Sequence, residues 1–355
     1  IKMTVHGLLS RSVTIYFRAD CSKALRGRNL GVIYVINDKV SGFFRLEKTG
    51  LGGFLVIFLA GNLQNKSDTS FRFIADTADD AAAIQMVRDS VGDQELRVDI
   101  EAIDKWRAVA DTAETFQKGR IFLAGDAAHT MPPTGGFGGN TGVQDTHNLA
   151  WKMAMVLRGE AASALLDTYN EERQPSGFQA TEQAYNRYVT RSDPSLGTDG
   201  MHAPIPDMHV EFNRYRSRAI TPDAGYQDDG KLDIDPRQAK GLPGTRGPHV
   251  DLARGGKAVS TIDLFGKEFV LFAGPEGGAW LDAAKRAAQE HRISIAAHHI
   301  DASADPAGGF APAYGIGLSG AALMRPDGYI AWRARAADGN AAARLAKAVA
   351  TALCR

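Results

Sequence analysis

Five glycines fall within eight residues (135–142) of the stretch GRIFLAGDAAHTMPPTGGFGGNTGVQDTHNLAWKM, residues 119–153. No other segment restricts the fold as strongly. The apolar run RIFLAG (120–125) does not alternate with polar residues, which predicts a strand covered on both faces. It ends in Gly125-Asp126, which puts a carboxylate at the carboxyl edge of a sheet, where open α/β sheets bind ligands. Pro132 and Pro133 stiffen the loop and offer carbonyls without N–H groups. Gly135, Gly136, Gly138 and Gly139 remove every Cβ, so a flat ligand can lie against the main chain. Asn140 and Thr141 then open a long helix. Its free N–H groups and positive dipole end face whatever the loop holds, an anion or a ring that becomes anionic.

The rest of the chain reads as mixed α and β structure. Strand patterns dominate residues 4–62, in LGVIYVIN (30–37), GFFRLEK (42–48) and GFLVIFLAG (53–61). A helix is predicted over 77–91, with Thr77 as N-cap and Gly92 after its end. LRVDIEAI (96–103) alternates as a strand with one wet face. From Thr141 to Leu157, Leu149, Met153 and Val156 form one stripe and Ala150, Ala154 and Leu157 another, which predicts a well-buried helix. Residues 163–190 read as helix, broken near Pro175. Residues 191–248 are rich in Asp, Pro and Gly and read as linker and irregular structure. A new βαβ-like order follows. It comprises strand 268–274, helix 279–291, strand 293–301, a strand pair over 321–333 turning at Pro326-Asp327-Gly328, and a helix over 339–352.

GDAAHTMPPTGGFGGNTGVQDTHNLAWKM closely resembles the second FAD-binding motif of the flavoprotein aromatic hydroxylases, the group typified by p-hydroxybenzoate hydroxylase. RGRNLGVIYV, GFFRLEKTG and LLDTYNEERQP are similar to its phenol, chlorophenol and polyketide hydroxylase subgroup. The resemblance implies an FAD domain of that fold with a substrate-binding β-sheet, plus a C-terminal thioredoxin-like α/β domain without CxxC. The expected divisions are 1–105 for the sheet region, 106–200 for the later part of the FAD domain, 201–248 for linker and 249–355 for the thioredoxin-like domain. Carried over, Asp126 would hold the ribityl chain, Gly125 before it would also belong to the cofactor site, and Pro132 and Pro133 would sit beside the flavin ring. Main-chain N–H groups of Gly138, Gly139, Asn140 and Thr141 would meet its N1–C2=O edge. Arg45 and Phe43 are the expected substrate contacts. The implied reaction uses NAD(P)H and O2 and hydroxylates a small aromatic substrate through a flavin C4a-hydroperoxide. A flavin reductase or dehydrogenase on the same scaffold, or a non-catalytic binding module, are the alternatives.

One departure matters. The family's N-terminal Rossmann strand–GxGxxG–helix and its central Asp-Gly motif have no counterpart here. The one GxGxxG, Gly315 to Gly320, precedes a strand instead of opening a helix, so it is set aside as a nucleotide site. The chain also starts IKMTVHG, without an initiator Met and directly in a strand-like run. The expectation is the later part of a longer protein, holding half an FAD site and inactive alone. Lys+Arg and Asp+Glu are both 41, so composition favours neither nucleic acid nor an anionic membrane. Two distant cysteines, with no metal-binding spacing, suit a reducing cytoplasm. His298, His299 and Asp301 make a poor metal site, since neighbouring strand residues point to opposite faces. His129 is expected to be structural, and oligomeric state stays open, a homodimer included.

Overall fold

The computed structural model describes residues 1–28, 31–59 and 79–355. Leu30, Ala60, Gly61 and the predicted cap Thr77 lie outside them. An antiparallel sheet is built from β1 (Met3–Arg18), β2 (Ile33–Ile36), β3 (Ser41–Leu46), β4 (Gly52–Leu59), β5 (Asp99–Ala113) and β8 (His129–Thr130), in the order β2-β3-β4-β1-β5-β8. Between Phe17 and Val13, every second residue of β1 faces one core, where Val13, Ile15 and Phe17 meet Phe44, Leu55 and Ile57. Helix α2 (Asp80–Val91) adds Ala83, Met86 and Val87 to that core; the short α1 (Ser22–Leu25) precedes β2. The α2 N-cap is Asp79, whose side chain accepts the Ala82 N–H at 2.9 Å.

β5 leaves the sheet's far end and pairs with β8, Asp111 opposite Thr130 and Thr112 opposite His129. That pairing ties the sheet to the glycine-rich stretch. RIFLAG is not a covered strand. Only β7 (Ile121–Phe122) is paired as a strand, its one partner among the described residues is β6 (Gln117–Lys118), and Ile121 is 64% exposed. With a single short partner strand, the run has no sheet to bury it.

Two long helices follow, α3 (Phe137–Leu157) and α4 (Asp167–Arg191). α4 runs unbroken through Pro175. Buried residues on both sides of the proline outweigh one missing backbone bond, and Ser176 Oγ donates to the neighbouring Glu172 carbonyl at 2.8 Å. The segment after α4 is irregular apart from a 3-10 turn (Pro194–Leu196) and α5 (Asp207–Glu211), yet it is packed: Tyr215 is buried and stacks on Tyr329 with ring centres 3.9 Å apart.

The C-terminal part has the predicted element order. The β-ribbon β9 (Asp251–Arg254) and β10 (Lys257–Ser260) leads into a sheet ordered β12-β11-β13-β14, from β11 (Phe269–Ala273), β12 (Ile295–His299), β13 (Ala321–Met324) and β14 (Ile330–Ala334). β11 and β12 are parallel and the other pairs antiparallel. Helices α6 (Gly278–His291) and α8 (Ala341–Ala352) share one core, where Trp280 and Trp332 meet edge to face at 5.4 Å. α7 (Phe310–Tyr314) packs in the core on the sheet's other side. The GxGxxG glycines serve close packing, since a Cβ on Gly320 would come 2.6 Å from the Ala334 carbonyl oxygen.

Candidate functional site

The glycine-rich stretch folds in two steps. Gly125–Ala127 form a single 3-10 turn, entered through Gly125 at φ 59°, and the Ala128 N–H closes it on the Gly125 carbonyl. Thr134 Oγ1 donates to the Ala184 carbonyl at 2.8 Å and pins the loop to α4. Gly136, left-handed at φ 72°, is the N-cap of α3. The helix therefore begins at Phe137, four residues before Thr141. Its unpaired first-turn amides are those of Phe137, Gly138 and Gly139, and among the described residues nothing accepts a hydrogen bond from them. The Thr141 amide lies past the first turn's unpaired donors, within the helical bonding pattern, and Thr141 is buried, while Asn140 Nδ2 donates to the Gly136 carbonyl at 3.3 Å.

The space ahead of these amides is open. A Cβ on Gly136 or Gly139 would meet nothing within 4 Å, and one on Gly138 would meet only Met131 Cγ at 3.6 Å. Asp126, Pro133 and Asn140 are exposed, whereas Pro132 is buried. Gly142 brings the two halves together: a Cβ there would come 3.2 Å from the Gly125 Cα. The Asp126 turn thus lies one helical turn along from Gly138.

A buried polar cluster fixes this arrangement. Asp145 Oδ2 accepts from the Gly125 N–H at 3.0 Å and contacts His129 Nε2 at 2.7 Å. Arg173 Nε donates to Asp145 Oδ1 at 2.8 Å, and its Nη2 donates to the Thr141 carbonyl at 3.2 Å. All three side chains are essentially inaccessible to solvent. Burial alone would raise the Asp145 pKa, but the His129 hydrogen bond and the Arg173 charge outweigh it and hold the carboxyl below the usual carboxylate range. Arg173 Nη1 continues to the Tyr215 hydroxyl at 3.0 Å. A second buried cluster lies farther along α3, where Lys152 Nζ donates to Glu172 Oε2 at 2.8 Å and Arg325 clamps Glu172 and Asp327. The predicted hydrophobic burial of α3 is thereby overturned: its buried face is Thr141, Asp145, Asn148, Trp151, Lys152 and Met155, while Val143 and Leu157 are 68% and 82% exposed.

The face of the large sheet opposite α2 is aromatic and hydroxylated. Phe43 lies 5.8 Å from Phe58 and 6.4 Å from Phe54, ring centre to ring centre, and Tyr188 of α4 packs edge-on against Phe58. Trp106 Nε1 donates to Thr14 Oγ1 at 2.9 Å, beside the buried Ser10 and Ser12. Arg45 shares the Phe43 face, two residues along β3, and is exposed. Phe137, Gly142, Asp145 and Arg173 are the site residues that the sequence reading missed. The signal for Asp145 was its place one helical turn beyond Thr141, on the face that the glycines open.

Residues 1–184 match the FAD binding domain family, and residues 240–355 match the family described as aromatic-ring hydroxylase, C-terminal. The chain is 45% identical to a 4-methyl-5-nitrocatechol 5-monooxygenase of Burkholderia sp, over 98% of this chain and 64% of that protein. It is 36% identical to a tetracenomycin A2 monooxygenase-dioxygenase of Streptomyces glaucescens, over 100% of this chain and 63% of that protein. Among solved structures it superposes on aklavinone-11 hydroxylase in complex with FAD and aklavinone with a TM-score of 0.89 at 32% identity, covering 99% of this chain and 64% of that one. The chain therefore spans under two thirds of the length of these relatives.

Proposed function

The chain belongs to the FAD-binding-domain family and carries the C-terminal domain of the aromatic-ring hydroxylases, and from that premise we propose that it holds the flavin ring of FAD in a monooxygenase that hydroxylates a small aromatic substrate. One observation carries this reading: three unbonded amides at the head of a long helix, where the glycines at 136 and 139 leave open space, and an exposed carboxylate one turn away. Such an end favours negative charge, and a reduced flavin carries it on the N1–C2=O edge. The amides of Phe137, Gly138 and Gly139 orient that edge, Asp126 accepts from ribityl hydroxyls, and Pro133 lies beside the ring. Bound there, FAD supplies the electrons taken from NAD(P)H and the activated oxygen delivered to the substrate.

The chain's own residues provide position and exclusion of water. The aromatic face of Phe43, Phe54, Phe58 and Trp106 suits a flat substrate, and Arg45 at its margin suits a phenolate. The nitrocatechol in the name of one relative is a small flat ring of the kind that surface suits. The two free cysteines fit a cytoplasmic setting, and no helix among the described residues is long and apolar enough to cross a membrane. The test is NAD(P)H oxidation by the FAD-loaded protein with and without a phenol. Stimulation with stoichiometric hydroxylated product is expected. Oxidation that releases only hydrogen peroxide, whatever phenol is offered, supports the reductase alternative instead.

A further inference from the structure

Arg246 has no part in the site above, and its surroundings are unusual for a guanidinium. It makes no hydrogen bond or ion pair among the described residues, and its Nε is buried without a partner. The charged group lies 5.9 Å from the Phe212 ring centre and 5.6 Å from that of Tyr329. Nearby carboxylates are committed elsewhere. Asp327 is closed on Arg325, Asp235 on Arg237, and Glu211 on the side chains of Asn140 and Gln144. Glu211 attracts the Arg246 charge without hydrogen-bonding to it, so the guanidinium's donors stay unused, and an anion placed against them would gain charge-assisted hydrogen bonds.

Arg246 also stands where two cavities of about 400 and 340 Å³ meet, and Phe212, Gly247 and Ile262 line both. Beside Arg246 the walls combine apolar residues, Ile234 and Pro236 on one side and Phe265 on the other, with Arg237 and Lys240 in the first cavity and Asp327, closed on Arg325, in the second. The floor is rigid. The Gly247 N–H donates to the Gly328 carbonyl at 2.9 Å, and a Cβ on Gly247 would strike Met324 and Phe265 at 2.7 Å. The place is distinct from the flavin end of α3: His147, which lines the second cavity, lies ten residues beyond Phe137, about 15 Å at 1.5 Å per residue.

We propose that this cleft, between the irregular segment and the C-terminal domain, binds a small aromatic carboxylate, its charge on the Arg246 guanidinium and its ring against the apolar wall. A planar guanidinium pairs a carboxylate with two parallel hydrogen bonds, and the flanking rings exclude competing water. The site does not depend on FAD.

The test titrates the 355-residue chain with 2-naphthoate and with its uncharged analogue 2-naphthamide, by calorimetry. Saturable 1:1 binding of naphthoate is expected, with naphthamide at least tenfold weaker. Arg246→Gln should weaken naphthoate at least tenfold and leave naphthamide unchanged. Ile262→Trp, at an exposed wall residue, should block both while keeping the guanidinium and the fold, and it decides the matter where Arg246→Gln lowers the melting temperature. The proposal is overturned by naphthoate that does not saturate, by naphthamide that binds as well, or by binding that Ile262→Trp leaves intact.

Discussion

Asp145→Asn tests whether the buried cluster holds the flavin-facing turn. The substitution keeps the shape and removes the charge. Its amide can keep one acceptor oxygen toward Arg173, but then turns an N–H toward the Gly125 N–H, which Asp145 accepts at 3.0 Å. Losing one charge-assisted bond costs about 1.5–3 kcal/mol, and a buried amide left unsatisfied costs about 1–3 kcal/mol more. Together these give about 2.5–6 kcal/mol, which brackets the roughly 3–5 kcal/mol seen when one partner of a buried ion pair is removed. A folded domain has only about 5–15 kcal/mol in hand. Urea unfolding should show the loss, and hydrogen exchange should show the Gly125 amide unprotected in the FAD-free protein. The pH dependence gives an independent check. Because the folded Asp145 pKa is depressed, its contribution is present above the unfolded value of about 3.9 and is lost as pH falls through the lower folded value. The variant should lack that acid-side loss. A stability within about 1 kcal/mol of the parent, with Gly125 still protected, would refute the reasoning, since it lies below the cost of even one such bond.

Two further substitutions probe separate parts. Gly139→Ala meets nothing within 4 Å, so the FAD-free fold should gain up to about 1 kcal/mol from helix propensity while FAD affinity drops at least tenfold; unchanged affinity would place the ring elsewhere. Burial pushes Lys152 down to about 8 despite Glu172 beside it. Between that pH and the unfolded value of about 10.4 the unfolded chain binds more protons, so stability should rise with pH. Lys152→Met, followed by denaturant titration at pH 8 and pH 10, should flatten that rise.

What the sequence made legible depends on how local the cause is. β11, α6, β12 and the β13–β14 hairpin were readable because each carries its own signal: aliphatic runs, an amphipathic stripe, and Pro326-Asp327-Gly328 at the turn. The glycine cluster was readable as bare backbone, but not the start of α3. Gly138 and Gly139 are poor helix formers, so the periodic pattern begins at Thr141, whereas the left-handed Gly136 starts the helix at Phe137. The buried face of α3 was misread for a different reason. Asp145 and Lys152 look like surface residues until Arg173, Glu172 and Arg325 are brought to them, and Arg325 lies 153 positions beyond Glu172. Nothing local announces such a partner.

The measurement closest to the core of the account is the change at individual backbone amides when FAD is added, followed by 15N NMR or by hydrogen exchange. The flavin-edge reading predicts that Phe137, Gly138 and Gly139 shift or become protected, and that amides deeper in α3, beyond Thr141, respond little. If FAD binds and those three amides stay unchanged, the helix head does not hold the ring.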